Sequence, residues 1–178
     1  EISMIISHAR VESLKLLNNE INLLEDRVFP KGLIYANGKY EKMINSNESI
    51  INTQHQLTAD LFNNRQIDKV QNRTTEGVHK TNFECYQIDN NVNARFCSTG
   101  EQKSLIISII IAKIKTIKKH KSVTPIFLID ELSSHLDNLN KDQIITEISK
   151  LDCQNFFTTT SNNIADYLQN DCDLVHLN

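Results

Sequence analysis

The chain has 178 residues, 39% of them hydrophobic and 23% charged, with a formal net charge of −3. That is too apolar for a disordered chain and too weakly charged for an overall basic nucleic-acid binder, although a local basic patch is compatible with it. No apolar run approaches the roughly 18–20 residues of a membrane span; Leu105–Ala112 is the longest, and Ser108 interrupts it. Cys85, Cys97, Cys153 and Cys172 include no Cys-x-x-Cys pair. A zinc site or disulfide framework is therefore not expected, and a reducing, cytoplasmic setting is. The chain opens on Glu1 with no signal-peptide pattern, so we read it as processed, trimmed or a piece of a longer protein.

The elements follow from the spacing of apolar residues. Ile6, Val11, Leu14, Leu17, Ile21, Leu24 and Val28 recur mostly every three or four residues, which predicts a helix over 1–28 ended by Pro30 and Gly32. Leu33–Ala36 reads as a short strand with Asn37-Gly38 as a turn. Residues 44–70 are polar and Asn-rich, with weak helical periodicity at Ile50, Leu57 and Leu61. Phe83–Ile88 reads as a strand that ends in an Asp89-Asn90-Asn91 turn. A helix is predicted from Gly100 to Lys119, a fully apolar buried strand over Pro125–Asp130, and a helix over Asn138–Leu151. A strand Asn155–Thr159, a helix Ile164–Leu168 and a strand Leu174–Leu177 complete the chain. Alternating strands and helices in this last part predict a parallel α/β layer.

Two segments carry chemistry. Ser98 and Glu101, in Cys97-Ser-Thr-Gly-Glu-Gln-Lys103, have the spacing of a capping box at a helix start. Gly100 between them removes a side chain where free N–H groups and the helix dipole favour an anion such as phosphate. By itself such a pair is usually just a cap. The second segment, Pro125-Ile-Phe-Leu-Ile-Asp-Glu131, places two acids at a strand end, the side of an α/β sheet where ligands bind. One carboxylate there can hold a hydrated Mg²⁺ and the next can position and deprotonate a water for attack on phosphorus. A solvated acidic strand end is the plainer alternative.

Taken in order, Ser-x-Gly-Glu-x-Lys heading a long helix, an apolar strand ending in Asp-Glu, and Ser134-His135-Leu136-Asp137 just beyond resemble the ABC-type ATPase head. Upstream, Arg73-Thr-Thr-Glu-Gly77-Val-His79-Lys-Thr-Asn-Phe83 resembles the segment before the signature in the RecF family of recombination mediators. Downstream, Gln154-Asn-Phe-Phe-Thr-Thr-Thr160 resembles the RecF strand after Walker B. A transporter subunit would place a switch His there, where this chain has Thr160 or Ser161. The resemblance covers residues 55–178 and implies the C-terminal portion of an ABC-type P-loop ATPase head. Residues 1–72 would form a mainly helical lobe, and 73–178 the part carrying signature, Walker B and D-loop.

The resemblance also implies roles. Ser98, Gly100 and Glu101 would belong to the signature that meets the γ-phosphate of ATP held by the opposite subunit. Asp130 would be the Walker B acid at Mg²⁺, Glu131 the catalytic base and Thr160 a phosphate sensor. Ser134, His135, Leu136 and Asp137 would form the D-loop at a dimer interface. The function implied is DNA replication and recombinational repair. ATP would drive head dimerisation on single-stranded or gapped DNA, other recombination mediators would dock, and no membrane would take part. Any turnover would be a weak DNA-linked ATPase.

Departures accompany these matches. RecF has Pro and Arg where this chain has Val78 and Lys80, and acids at Thr81 and Asn82. A P-loop needs Gly, four residues, then Gly-Lys-Ser/Thr. The nearest match, Gly32 to Tyr40, has five intervening residues and no hydroxyl of the right kind, so we reject it. A Walker A segment N-terminal to this chain is the partner the resemblance implies. Lys113, Lys115, Lys118 and Lys119 are candidate phosphate-backbone contacts to DNA, or simply cations suited to a helix C-terminus. Two other functions compete: a non-catalytic remnant or interaction module, and the head of another SMC-like ATPase. The latter would bring coiled-coil heptads, which are absent here.

Overall fold

The structure, a computed structural model, describes residues 1–24, 30–121, 123–130, 138–158, 173 and 175. The chain forms two compact units, Glu1–Asn19 with Gly32–Arg95 and Glu20–Lys31 with Phe96–Asn178. None of the described helices is long and apolar enough to cross a membrane.

The first unit begins with helix α1 (Ile2–Asn22). Its stripe packs Met4 and Val11 against Tyr40, Ile44 and Leu57, with Met43, Leu61 and Val78 at the margin. Strand β1 (Gly32–Asn37) pairs antiparallel with β2 (Asn82–Gln87), from Gly32↔Gln87 to Asn37↔Asn82. Asn18 of α1 serves β1 as a substitute strand neighbour. Its amide donates to the Ile34 carbonyl at 2.9 Å and its Oδ1 accepts the Ile34 N–H at 3.0 Å, so both backbone groups are satisfied.

Gly38 does not make the expected turn. It is the N-cap, in extended geometry, of helix α2 (Lys39–Asn45). A Cβ at position 38 would overlap the Glu41 carboxylate and the Thr81 hydroxyl, which is why the position holds glycine. The residues between Gly32 and Gly38 are therefore strand, and the rejected P-loop match is not a phosphate loop. The weakly periodic 44–70 segment contains two helices, α3 (Ile50–Asn63) and α4 (Arg65–Gln71). Ser49 caps α3 by accepting the Asn52 N–H at 3.1 Å, while α4 buries no residue.

The second unit carries α5 (Thr99–Lys121), β3 (Phe127–Ile129), α6 (Asn138–Ser149) and β4 (Asn155–Phe157). Leu105, Ile111, Ala112 and Ile114 of α5 are buried, as are Phe127, Ile144, Ile145, Ile148 and Leu151. Ser108, the polar break in the apolar run, is fully buried and donates its hydroxyl to the Leu105 carbonyl at 2.8 Å. The β3–β4 pair is parallel with Leu128 opposite Phe156, as the alternating pattern predicts. One expectation fails: β3 is not buried on both faces. Phe127 is 6% exposed, but Ile126, Leu128 and Phe156 are 61%, 71% and 51% exposed. Parallel strands are stable when both faces are covered, and among the described residues only one face is. The expected helix 164–168 and strand 174–177 lie outside the described residues.

Candidate functional site

The start of α5 is built by its own side chains. The Ser98 N–H and hydroxyl both donate to Glu101 Oε2 at 2.8 Å, and the Glu101 N–H returns to Ser98 Oγ at 3.3 Å. The Gln102 N–H closes the first turn on the Ser98 carbonyl at 2.9 Å. This is the reciprocal capping box that the Ser-x-x-Glu spacing predicts. Hydrogen bonds from the Ser98 hydroxyl and N–H hold the Glu101 carboxyl below the usual range. The cap accounts for the N–H groups of Ser98 and Glu101. Among the described residues those of Thr99 and Gly100, between them, meet no protein acceptor. Ser98, Thr99, Gly100 and Glu101 are all exposed. A Cβ at Gly100 would meet nothing within 4 Å. The turn thus offers adjacent backbone donors at the positive end of a 23-residue helix, an arrangement suited to an anion.

Asp130 follows the last residue of β3. Its Oδ1 accepts a short hydrogen bond from the Thr158 hydroxyl, and the Thr158 N–H donates to the Ile129 carbonyl at 3.0 Å. The parallel register, with Ile129 opposite Phe157, brings the residue after each strand together. Thr158 was not singled out in the sequence, where Thr160 was the candidate. The available signal was a hydroxyl two positions earlier in the same Thr run, legible only once the register is known. Asp130 is an exposed oxygen ligand of the kind Mg²⁺ takes one or two of, beside waters and phosphate oxygens. Among the described residues no group of three or more His, Cys, Asp or Glu is placed to hold a metal by itself. A shared Mg²⁺ fits this donor set better than a protein-only cage. Glu131, Ser134, His135, Leu136, Asp137 and Thr160 lie outside the described residues.

The lysines of α5 divide. Lys118 Nζ donates to the carbonyls of Leu151 and Asp152 at 2.7 and 2.9 Å and to Asp152 Oδ2 at 3.1 Å. It thereby closes the chain end that follows α6. Lys119 pairs with Glu20 at 2.7 Å. Lys113 is exposed and Lys115 half-buried.

In the first unit a polar cluster escaped the sequence altogether. Glu41 is fully buried. It accepts from Ser7 at 2.8 Å, Arg10 at 3.1 Å and Thr81 at 2.8 Å. Burial pushes its carboxyl up, but those hydrogen bonds and one from its own N–H outweigh that and hold it below the usual value. Arg10 also donates to the Val78 carbonyl at 2.6 Å. The cluster thus anchors the 73–81 segment, whose shape is further set by Asp68. Asp68 Oδ1 accepts from the Thr75 N–H and hydroxyl at 2.8 and 2.5 Å. His79 Nε2 lies 3.0 Å from the Thr74 carbonyl, a pairing that requires the proton on Nε2. Gly77 sits at φ +141°, which side chains rarely adopt. His79 thereby closes this loop.

Comparison with known proteins fits this geometry. No family model matches the chain. Curated relatives do: the DNA replication and repair protein RecF of Rickettsia rickettsii (strain Sheila Smith) is 35% identical over 178 residues, 99% of this chain and 48% of that protein. RecF of Rickettsia massiliae (strain Mtu5) is 36% identical over 162 residues, 90% of this chain and 44% of its own length. Two solved structures of the recombination mediator protein RecF, described as RecF-ATPrS and RecF-ATP in the RecFOR pathway, share the fold. Their TM-scores are 0.71 and 0.66, at 18% and 21% identity, and the matches cover 90% and 92% of this chain and 43% and 44% of theirs. The chain is thus a RecF-family sequence, similar along its length to the C-terminal part of RecF and spanning about half the length of the curated relatives it matches.

Proposed function

We propose that this chain supplies the signature and Walker B half of an ATP-dependent head that acts in DNA replication and recombinational repair. The observation that carries the proposal is Gly100. It stands exposed in the first turn of α5, with open space where its side chain would be and unclaimed N–H donors at Thr99 and Gly100. Glycine in a helix costs stability relative to Ala, and among the described residues nothing benefits from it. A phosphate group brought up from outside would, since it could reach the backbone closely.

In this proposal the γ-phosphate of ATP held by a second head docks on Ser98, Thr99 and Gly100. Asp130, held by Thr158, ligates Mg²⁺, which supplies charge neutralisation at the phosphates when bound. Glu131 takes the proton of the attacking water, and Ser134–Asp137 line the dimer interface. A Walker A segment would supply the other face of the nucleotide site. The same additional segment would cover the open face at Leu128 and Phe156. Nucleotide-joined heads would bind single-stranded or gapped DNA, together with other recombination mediators.

The test uses the full-length protein. Glu131→Gln should lower ATP hydrolysis at least a hundredfold while ATP-dependent dimerisation, read by light scattering, persists. Ser98→Arg should abolish dimerisation and leave nucleotide binding intact. Loss of both activities in Glu131→Gln, or of neither, rejects the assignment of the base.

A further inference from the structure

The outward face of the β1–β2 pair has no part in the nucleotide chemistry. The strand pleat places Tyr35, Asn37, Glu84 and Tyr86 on one face, with Tyr35 directly opposite Glu84. Lys42 and Asn45 of α2 complete an open concavity of about 520 Å³. All of these residues belong to the first unit.

The face is organised rather than merely solvated. Glu84 Oε1 accepts from Asn37 Nδ2 at 2.8 Å, and Oε2 accepts from the Tyr86 hydroxyl at 2.9 Å. Each carboxylate oxygen has two acceptor sites, so each keeps one open. Tyr35 and Tyr86 stand edge to face, 6.0 Å between centroids and 71° between planes. In such a pair at least one face of each ring is left uncovered by the other. Tyr35 is 47% exposed. Asn37 and Tyr86, by hydrogen bonding, hold the Glu84 carboxyl below its usual range, and the charges of Arg95 and Lys42 add to this.

These features select among ligands. Lys42 and Arg95 repel a cationic side chain seeking Glu84. An aromatic ring with amino donors and an anionic tail meets complementary groups throughout: a ring face, a carboxylate acceptor and a lysine. A single lysine without a glycine-rich cradle suits one phosphodiester better than a polyphosphate. We propose that the Tyr35–Glu84–Tyr86 face binds one unpaired nucleotide of a DNA strand, its base stacked on Tyr35, its amino group on Glu84 and its phosphate near Lys42. Only the choice of DNA as the strand rests on the proposed function; the pocket itself does not.

The test is fluorescence anisotropy on the full-length protein with an ATP analogue present. The probes are a labelled 12-nucleotide oligo(dC), a 12-base-pair duplex, and free deoxycytidine monophosphate as competitor. Stacking of a base on an aromatic side chain is lost on truncation, so Tyr35→Ala should weaken oligo(dC) binding about tenfold. Tyr35→Leu, which keeps the bulk but not the π face, should do the same. Tyr35→Trp should restore binding, and duplex affinity should not move. The proposal is overturned if the Tyr35 variants bind oligo(dC) like wild type, if duplex binding falls equally, or if the free nucleotide competes at the oligonucleotide's own Kd. Wild-type binding that survives Tyr35→Ala rejects the pocket alone. A wild type that binds the duplex but no single strand rejects the pocket and leaves DNA binding standing; one that binds neither rejects both.

Discussion

Replacing Gly100 by Ala separates the demands of the fold from those of a ligand. An alanine Cβ there has nothing within 4 Å, so no steric cost is incurred. Ala is favoured over Gly by about 1 kcal/mol in a helix interior, and in the first turn about half of that is a reasonable share. For a chain of this size, 1 kcal/mol moves the melting midpoint by roughly 2–4 °C; the substitution should therefore raise Tm by about 1–2 °C. The same methyl group stands where a phosphate would approach the Thr99 and Gly100 N–H groups. ATP-dependent dimerisation should weaken at least tenfold, equivalent to about 1.4 kcal/mol. Calorimetry and light scattering on one sample measure both. A lower Tm would mean that the glycine serves the fold. A raised Tm with unchanged dimerisation would mean that nothing approaches this turn.

Two further outcomes follow from the buried and bridging polar groups. Glu41→Gln places an amide against the Ser7, Arg10 and Thr81 donors and should cost about 3 kcal/mol in denaturant melts. Because the folded Glu41 carboxyl is held below its ordinary value of 4.5, wild type should lose stability as pH falls below about 4.5 and through the lowered folded value. The variant should lose less over that window; equal acid sensitivity would refute the assignment. Thr158→Val removes the hydroxyl that holds Asp130, and since both residues are exposed, stability should change by less than about 0.5 kcal/mol. Half-saturating Mg²⁺ for hydrolysis should rise several-fold and return with Thr158→Ser; an unchanged Mg²⁺ dependence would show that Thr158 does not position the acid.

The legible parts of the molecule are those with local causes. The Ser98–Glu101 box heading α5 forms where expected; the α1 and β3 runs also declare themselves within a few residues, but Ile6 of the one and Ile126 and Leu128 of the other are exposed. Asn37-Gly38 misleads because the glycine serves packing at a helix N-cap and not a turn: Glu41 and Thr81 fill the space beside Gly38. The 44–70 helices are faint because they bury little; α3 buries only Thr53 and Leu57, and α4 nothing. Glu41 and Thr158 were illegible for a common reason. Each draws its meaning from a partner 28 to 40 positions away, and no periodicity records such a pairing.

Three of the glycines make the same distinction sharper, since each of them lacks a side chain for a different reason. At Gly38 the backbone is ordinary, with φ −121°, but a buried carboxylate and a hydroxyl occupy the side-chain position. At Gly77 the backbone itself is the reason, at φ +141°, and the loop closed by Asp68 and His79 depends on it. Both are explained by atoms of this chain. Among the described residues none explains Gly100: its surroundings there are open and its helix would be firmer with Ala. A residue that the fold tolerates at a cost, beside Thr99 and Gly100 N–H groups that no described acceptor claims, fits the docked phosphate proposed above. Among the described residues the apolar face of β3 and β4 is likewise uncovered at Leu128 and Phe156, where parallel strands are usually covered on both faces. In the proposed function the nucleotide site and this sheet face would share one requirement, completion by a further polypeptide segment.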